Sequence, residues 1–299
     1  MNVGIIGTAN RDKLILPSGA RVESWGGVIY NILTLSHYMG PDERVRPICP
    51  LGANAKDVFL DLLNRFSNVD AGAIFHCPEP HNRVTLECIS QEEKRESAQL
   101  TLPPLPFDHI KQHLSELDFL LINFTSGREI EKDTLRQIRD FFKGPILLDV
   151  HSLTLGDPDV KGRRRPQVLR DWQEWLKGVD YVQLTMYEAG CMTGESSASI
   201  SNLVDVADWL LMNGTKGIFV TRGEDGAYYF HTDDDGILKE EIPPFTLHTV
   251  VDTTGCGDVF SSALIYHYLK RNDILKALEF AVKASALKAT TSGIQAWLK

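Results

Sequence analysis

Val250-Val251-Asp252-Thr253-Thr254-Gly255-Cys256-Gly257-Asp258-Val259-Phe260 is the stretch whose residue types and spacing most directly suggest chemistry. Two glycines flank one small residue where a helical pattern begins, so the backbone can approach a ligand closely and aim successive N–H groups at it. With the positive end of the helix dipole, Gly255, Cys256 and Gly257 would form an anion site. Asp258 stands beside it. A carboxylate there repels a phosphate, but it suits accepting the proton of a hydroxyl that attacks phosphorus while the N–H groups absorb charge on the transferring group. The plainer account of a bare Gly-x-Gly-Asp is a glycine turn capped by an acid.

Elements must hold that turn in place. Apolar runs of strand length at Val3–Ile6, Phe119–Ile122, Ile146–Val150, Tyr181–Leu184 and Ile218–Thr221 alternate with helical patterns. The helical patterns cover Val28–Met39, Ala55–Phe66, Glu131–Phe142, Pro166–Leu176, Ile200–Met212, Gly257–Lys270 and Ile274–Thr291, the last capped by Asp273. This alternation predicts a mainly parallel sheet covered by helices. Lys13–Ser24 and Ala71–Leu102 break it: both read as extended, with no strong helix between, and predict a small β lid attached to the main body. Residues 1–299 then form one α/β unit plus that lid of about 13–24 and 71–102.

Composition narrows the partners. The 299 residues carry 31 basic and 40 acidic side chains, a formal charge of −9, which opposes broad binding to nucleic acid or anionic membranes. Five scattered cysteines without a C-x-x-C pair read as neither a disulfide framework nor a zinc site. With no leader pattern at Met1–Gly7 and no apolar run near the ~18 residues of a membrane span, a cytoplasmic setting is expected.

Asp252-Thr253-Thr254-Gly255-Cys256-Gly257-Asp258 resembles the D-T-x-G-A-G-D signature of the ribokinase-like, or PfkB, carbohydrate kinase family, with Cys256 in the usual Ala position. Other segments are similar in the same order, from the first strand to the C-terminal helices. Gly7-Thr8-Ala9-Asn10-Arg11-Asp12 resembles the family's first strand and its polar end, which places Asp12, and Asn10 beside it, at sugar hydroxyls. Trp25-Gly26-Gly27-Val28-Ile29-Tyr30-Asn31 looks like the Gly-Gly motif, with Gly26 and Gly27 under the substrate and Asn31 toward it; Val28 replaces the ribokinase Lys. In Leu51–Asp57, Asn54 replaces an Asp and the second Gly is missing, which weakens any inference to ribose.

Asp180–Glu188 resembles the strand ending in N-x-x-E, with Thr185 for Asn and Glu188 kept. The resemblance implies that Glu188 orders Mg²⁺ through water and that Thr185 faces the phosphates; alone, Glu188 reads as a helix-start acid. Thr221-Arg222-Gly223-Glu224-Asp225-Gly226 is similar to the T-x-G-x-x-G nucleotide turn, with Arg222 either on phosphate or in solvent. Asp252 and Thr254 fall where many relatives shape a monovalent-cation loop, which extends a K⁺ expectation to Asp252.

The resemblance implies a three-layer α/β/α fold with a β-strand lid, and an ATP- and Mg²⁺-dependent kinase acting on a hydroxyl of a pentose, hexose, inositol or nucleoside. Arg83 in the lid stays open as a substrate contact, whereas His81 reads as part of an ordinary β ribbon. Free lid edges admit lid-to-lid pairing in a homodimer. Departures at Val28, Asn54, Thr185 and Cys256 keep a non-catalytic, ligand-binding protein on the same fold as the alternative. A lyase acting on a hydrated nicotinamide is a third reading, which the enclosed polyol site argues against. The basic run Lys161–Arg165, the His109/His113 pair and the acidic turn Asp233–Gly236 read as solvated surface.

Overall fold

A computed structural model of the chain describes residues 1–15, 19–88, 94–195, 199–234, 236–247 and 249–298. Of the segments expected to form the lid, 16–18 and 89–93 lie outside the described residues, as does Asp235 of the acidic turn.

The chain runs β1 (Asn2–Ile6), β2 (Ala9–Ile15), β3 (Arg21–Gly27), α1 (Ile29–Tyr38), β4 (Arg44–Ile48), β5 (Pro50–Gly52), α2 (Lys56–Leu63) and β6 (Phe75–Cys77). It continues through β7 (Arg83–Cys88), β8 (Lys94–Gln99), α3 (Phe107–Lys111), β9 (Phe119–Asn123), α4 (Lys132–Phe141), β10 (Ile146–Asp149) and α5 (Trp172–Leu176). The remainder is β11 (Tyr181–Thr185), α6 (Met186–Thr193), α7 (Ile200–Met212), β12 (Gly217–Thr221), β13 (Ala227–Asp233), β14 (Gly236–Ile242), α8 (Cys256–Arg271) and α9 (Ile274–Ala289).

Eight strands form the main sheet in the order β14-β13-β12-β11-β10-β9-β1-β4. It is parallel from β4 to β12, and β13 and β14 add an antiparallel hairpin at the other edge. Alternate residues of β9 show why helices cover both faces. Phe119 and Leu121 pack into one core with α1, α2, α8 and α9, whereas Leu120 and Ile122 pack into a second with α3 to α7. A strand apolar at every position has two faces to bury, so the architecture is three layers, α/β/α.

The small sheet has the order β3-β2-β7-β8, parallel only at β2/β7. Its first two strands run wider than the expected 13–24, from Ala9 to Gly27, so Asn10, Asp12, Gly26 and Gly27 lie within it. Its last two occupy only the later part of 71–102, because Phe75–Cys77 pairs with β5 instead.

Further elements depart from the sequence pattern for identifiable reasons. Of Pro166–Leu176 only the last turn is helical, since Gly156 N–H donates to Arg165 O and Gln167 N–H to Thr154 O, holding the preceding residues in an extended hairpin. β4 contains Pro47, which lacks a ladder donor; the strand lies at the sheet edge, where that is tolerated. α6 has no counterpart among the helices that periodicity predicts. Among the described residues no helix is long and apolar enough to cross a membrane.

Candidate active site

The carboxyl ends of the parallel strands deliver polar side chains to one crevice: Asn123 from β9, Asp149 from β10, Thr185 from β11 and Thr221 from β12. That is the edge at which open α/β sheets present ligand-binding groups. The first turn of α8 faces it. Gly255 forms the N-cap in a left-handed conformation, φ 82° and ψ 2°, and any Cβ there would strike the ring of the buried Tyr30. Glycine is therefore required by both the torsion and the space. Cys256 N–H donates to Thr253 O at 3.2 Å, so of the three candidate amides this one closes the turn. Ser285 on α9 receives Cys256 Sγ at its carbonyl and donates its Oγ–H to Cys256 O, 2.9 Å away.

Asp258 is 5% exposed. Asn123 Nδ2 donates to its Oδ1 at 2.6 Å, and Asn31 Nδ2 donates to its backbone oxygen at 2.9 Å. Burial pushes the Asp258 carboxyl above the ordinary range, while His151, the Asn123 bond and Lys288 pull against that rise. Asp149 and Glu188 are likewise raised by burial, and Asp258 adds to the rise at Asp149. His151 answers these charges. Burial alone would lower its pKa, but Asp258, Asp149 and Glu188 together raise it, favouring the imidazolium. Gln183 Nε2 bridges Asp149 Oδ2 at 2.9 Å and Gly257 O at 3.0 Å, tying the acid cluster to α8.

A cavity of about 320 Å³ opens between the small sheet and the loop before α8, with Asp12, Trp25 and Leu86 on one side and Asp252, Thr254 and Ile294 on the other. A second, of about 520 Å³, is lined by Asp12, Arg83, Thr85 and Lys161. Asp12 is common to both. Its carboxyl is pushed up to about 8 by burial first, then by Glu96, Asp258 and Asp252. The acid lies against Gly26, where a Cβ would collide with it. Asp258 lines neither cavity, yet its charge reaches Asp12.

The remaining substrate candidates divide. Arg83 is exposed and faces the second cavity. Asn10 is buried, with Oδ1 lacking a hydrogen-bond partner, and lies beside Gly27. Asn31 is 0% exposed and acts inward: it holds Asp258 O, Ser261 Oγ and Ser262 Oγ, and accepts from Asn123. Trp25 packs on Phe59 and His81, with the Arg11 guanidinium 4.8 Å over its ring. Asn54 caps the backbone N–H of His81.

Of the residues expected near the nucleotide, Thr185 and Thr221 are register partners on adjacent strands. Thr185 and Glu188 form a reciprocal capping box at the start of α6, with one Glu188 oxygen accepting from Thr185 N–H at 2.8 Å. Arg222 is engaged locally: Nη1 donates to Tyr228 Oη, Nη2 to Asp225 O, and the guanidinium lies 3.9 Å over the Tyr228 ring. Gly223 and Gly226 bound the short turn from β12 to β13.

At Asp252 the structure places an ammonium. Asp252 Oδ1 accepts from Thr254 N–H and Oδ2 from Gly293 N–H, and the buried Lys288 Nζ lies 3.8 Å from Oδ2. Burial would raise this carboxyl, but those amides and Lys288 hold it below its ordinary range. Asp149 falls within a strand that the apolar runs predict, and Asn123 directly follows another. Gln183 likewise falls within the predicted strand Tyr181–Leu184 and His151 directly follows Ile146–Val150, whereas Lys288 carries no comparable signal. No group of three or more His, Cys, Asp or Glu residues among those described is arranged to hold a metal directly.

The model of the pfkB family carbohydrate kinases matches residues 151–299. Fructokinase-2 of Oryza sativa subsp. japonica is 29% identical over 136 residues, 43% of this chain and 37% of that protein. The bifunctional ribokinase/ribose-5-phosphate isomerase A of Fructilactobacillus sanfranciscensis is 33% identical over 124 residues, 41% of this chain and 22% of that protein. The match thus spans well under half the length of these curated relatives. Among solved structures, Arabidopsis thaliana ribokinase complexed with ribose and ATP superposes with a TM-score of 0.75 at 19% identity, covering 99% of this chain and 94% of that one. The signature turn at the head of α8 thus lies in residues 151–299, which match the pfkB family carbohydrate kinases, and the whole chain shares the fold of the ribokinase structure.

Proposed function

We propose that the chain transfers the γ-phosphoryl group of ATP to a hydroxyl of a sugar or sugar-like small molecule. The observation that carries this reading is Asp258, a buried carboxylate in the first turn of α8, supported by Asn123 and facing a helix N-terminus built on Gly255. A protein that only binds a ligand has no need of a base held there.

In this reading Asp12 holds the substrate hydroxyls and the small sheet closes over them as a lid, with Arg83 at the second cavity. The attacking hydroxyl gives its proton to Asp258 as its oxygen bonds to the γ-phosphorus. The bond from γ-phosphorus to the bridging oxygen breaks, and ADP leaves with that electron pair. Amides of the first α8 turn, Gly255 and Gly257 foremost, take up charge on the group in transit. One such donor contributes ~3 kcal/mol. Thr185, Thr221 and Gly223 border the nucleotide.

The donor set suits a hydrated Mg²⁺, because three crowded acids, Asp149, Glu188 and Asp258, are all pushed upward, and the buried Gln183 Oε1 has no partner. When bound, the ion would neutralise phosphate charge, with Glu188 reaching it through water. Little covalent work falls to the protein, and positioning supplies most of the rate.

The test is ATP consumption with Mg²⁺ against a panel of pentoses, hexoses, inositols and nucleosides, for the wild type and Asp258→Asn. At least one compound should raise wild-type turnover, and the variant should lose it by at least about a hundredfold while still binding ATP. A panel in which nothing exceeds the variant's background overturns the reading.

A further inference from the structure

We propose that Lys288 serves as a built-in monovalent cation, its ammonium holding the loop before α8 at the place where the sequence raises the expectation of K⁺ at Asp252. Lys288 lies in the last turn of α9 and is 3% exposed. A lysine so deeply buried needs partners to offset the loss of its hydration, and it has them. Nζ donates to Asp252 O at 3.1 Å and to Thr291 O at 3.2 Å, lies 3.8 Å from Asp252 Oδ2, and stands 5.4 Å from the centroid of the Tyr30 ring. Two carbonyls, a carboxylate and an aromatic face are the ligands a weakly hydrated monovalent cation takes, and here a covalently tethered ammonium takes them.

The residues therefore do not fit an exchangeable ion at this place. Potassium would have to enter beside a buried like charge and compete for the same oxygens. No step of the proposed transfer is routed through one.

The consequence reaches the transfer site by two short paths. Val251 and Asp252 N–H groups both donate to Ala289 O, so the loop is docked on the same helix end that carries the ammonium. Tyr30, under Lys288, also meets Gly255, the N-cap of α8. Lys288 is thus a positioning residue: it fixes the Asp252–Gly255 turn and so the direction of the α8 amides. Its charge also favours the ionised form of Asp258.

Replacing Lys288 by Ala leaves a hollow lined by Asp252 O, Thr291 O and the Asp252 carboxylate, which K⁺ or NH₄⁺ fits. The decisive experiment compares sodium, potassium, ammonium and N-methylglucamine chlorides at matched ionic strength. The thermal midpoint of the ligand-free wild type should be indifferent to the cation, while that of Lys288→Ala should rise in potassium or ammonium alone. Wild-type turnover should vary by less than about twofold. Lys288→Ala should lose at least about tenfold and regain most of it in potassium or ammonium, chiefly through kcat. Lys288→Gln serves if the alanine variant does not fold. Potassium activation of the wild type, or a variant that shows no cation response in either measurement, overturns the proposal. The turnover arm rests on the kinase reading; the thermal arm does not, so a silent panel with a cation-responsive midpoint separates failure of that reading from failure of this one.

Discussion

The Asn123 side chain donates a 2.6 Å hydrogen bond to the Asp258 carboxylate, joining the end of β9 to the first turn of α8. Asn123 accepts nothing from this acid, and its Oδ1 has no partner, so the amide's orientation is set by donation to Asp258 and to Asn31 Oδ1. A donor favours the charged form of the acid it touches. Asn123→Ala should therefore lower kcat by about tenfold or more, the value of a hydrogen bond to a charged group, and move the acid limb of the pH–rate profile upward. A variant that merely loses stability leaves that limb in place.

The wild-type profile has a predictable sign. A general base works when ionised, and burial raises the Asp258 carboxyl above its usual range, so kcat/KM should fall with acid at a pH above the ~4 of an ordinary aspartate. A limb at or below that value, measured at saturating ATP, contradicts the assignment.

Asp12→Asn should act on binding and stability in opposite directions. With its folded pKa at about 8 against an ordinary 3.8, the folded state holds a proton that the unfolded chain has released, so this group's contribution to stability declines as pH climbs through that window. The variant removes the decline. Its thermal midpoint should exceed the parent's at alkaline pH and match it in acid. Substrate KM should meanwhile rise at least about tenfold.

Gly255→Ala tests the N-cap of α8. A left-handed torsion and a collision with the Tyr30 ring combine there, and Tyr30 is only 2% exposed and cannot retreat. A loss of at least about 2 kcal/mol is expected in denaturant unfolding, with turnover falling further than stability explains.

Arg222→Ala should leave the KM for ATP within about threefold of the parent and cost about 1 kcal/mol of stability. Its guanidinium is held by Tyr228 and Asp225 within its own turn. A large rise in ATP KM would return it to the phosphates.

The parallel strands and the helix from Ile200 to Met212 are legible in the sequence because unbroken apolar runs of strand length arise where both faces of a strand are buried, and a 3.6-residue period arises where one face of a helix is. The turn at Gly255–Asp258 is legible because glycine spacing reports backbone geometry directly. Pro47 hides β4, since only a place at the sheet edge removes its cost, and α6 is hidden by a weak amphipathic pattern, although Thr185-x-x-Glu188 announces its cap. Lys288 is out of reach for a different reason: within α9 it reads as one more solvent-facing lysine beside Lys276 and Lys283, and its distant partners Asp252, 36 residues earlier, and Tyr30 are brought to it by tertiary packing. The inward turn of Asn31 has the same origin, since its partners at 258–262 are set by packing between α1 and α8.

The Asn31–Asp258 bond closes a loop of 227 residues, and it has a consequence during synthesis. As the ribosome elongates the chain, β1 to β12 and the small sheet can all pair before α8 emerges, so a nascent chain already carries Asp12 while lacking Asp258. Long-range contacts of this kind form late. The growing polypeptide thus completes the Asp12 side of the crevice first and gains the buried Asp258 carboxylate only once its last two helices dock.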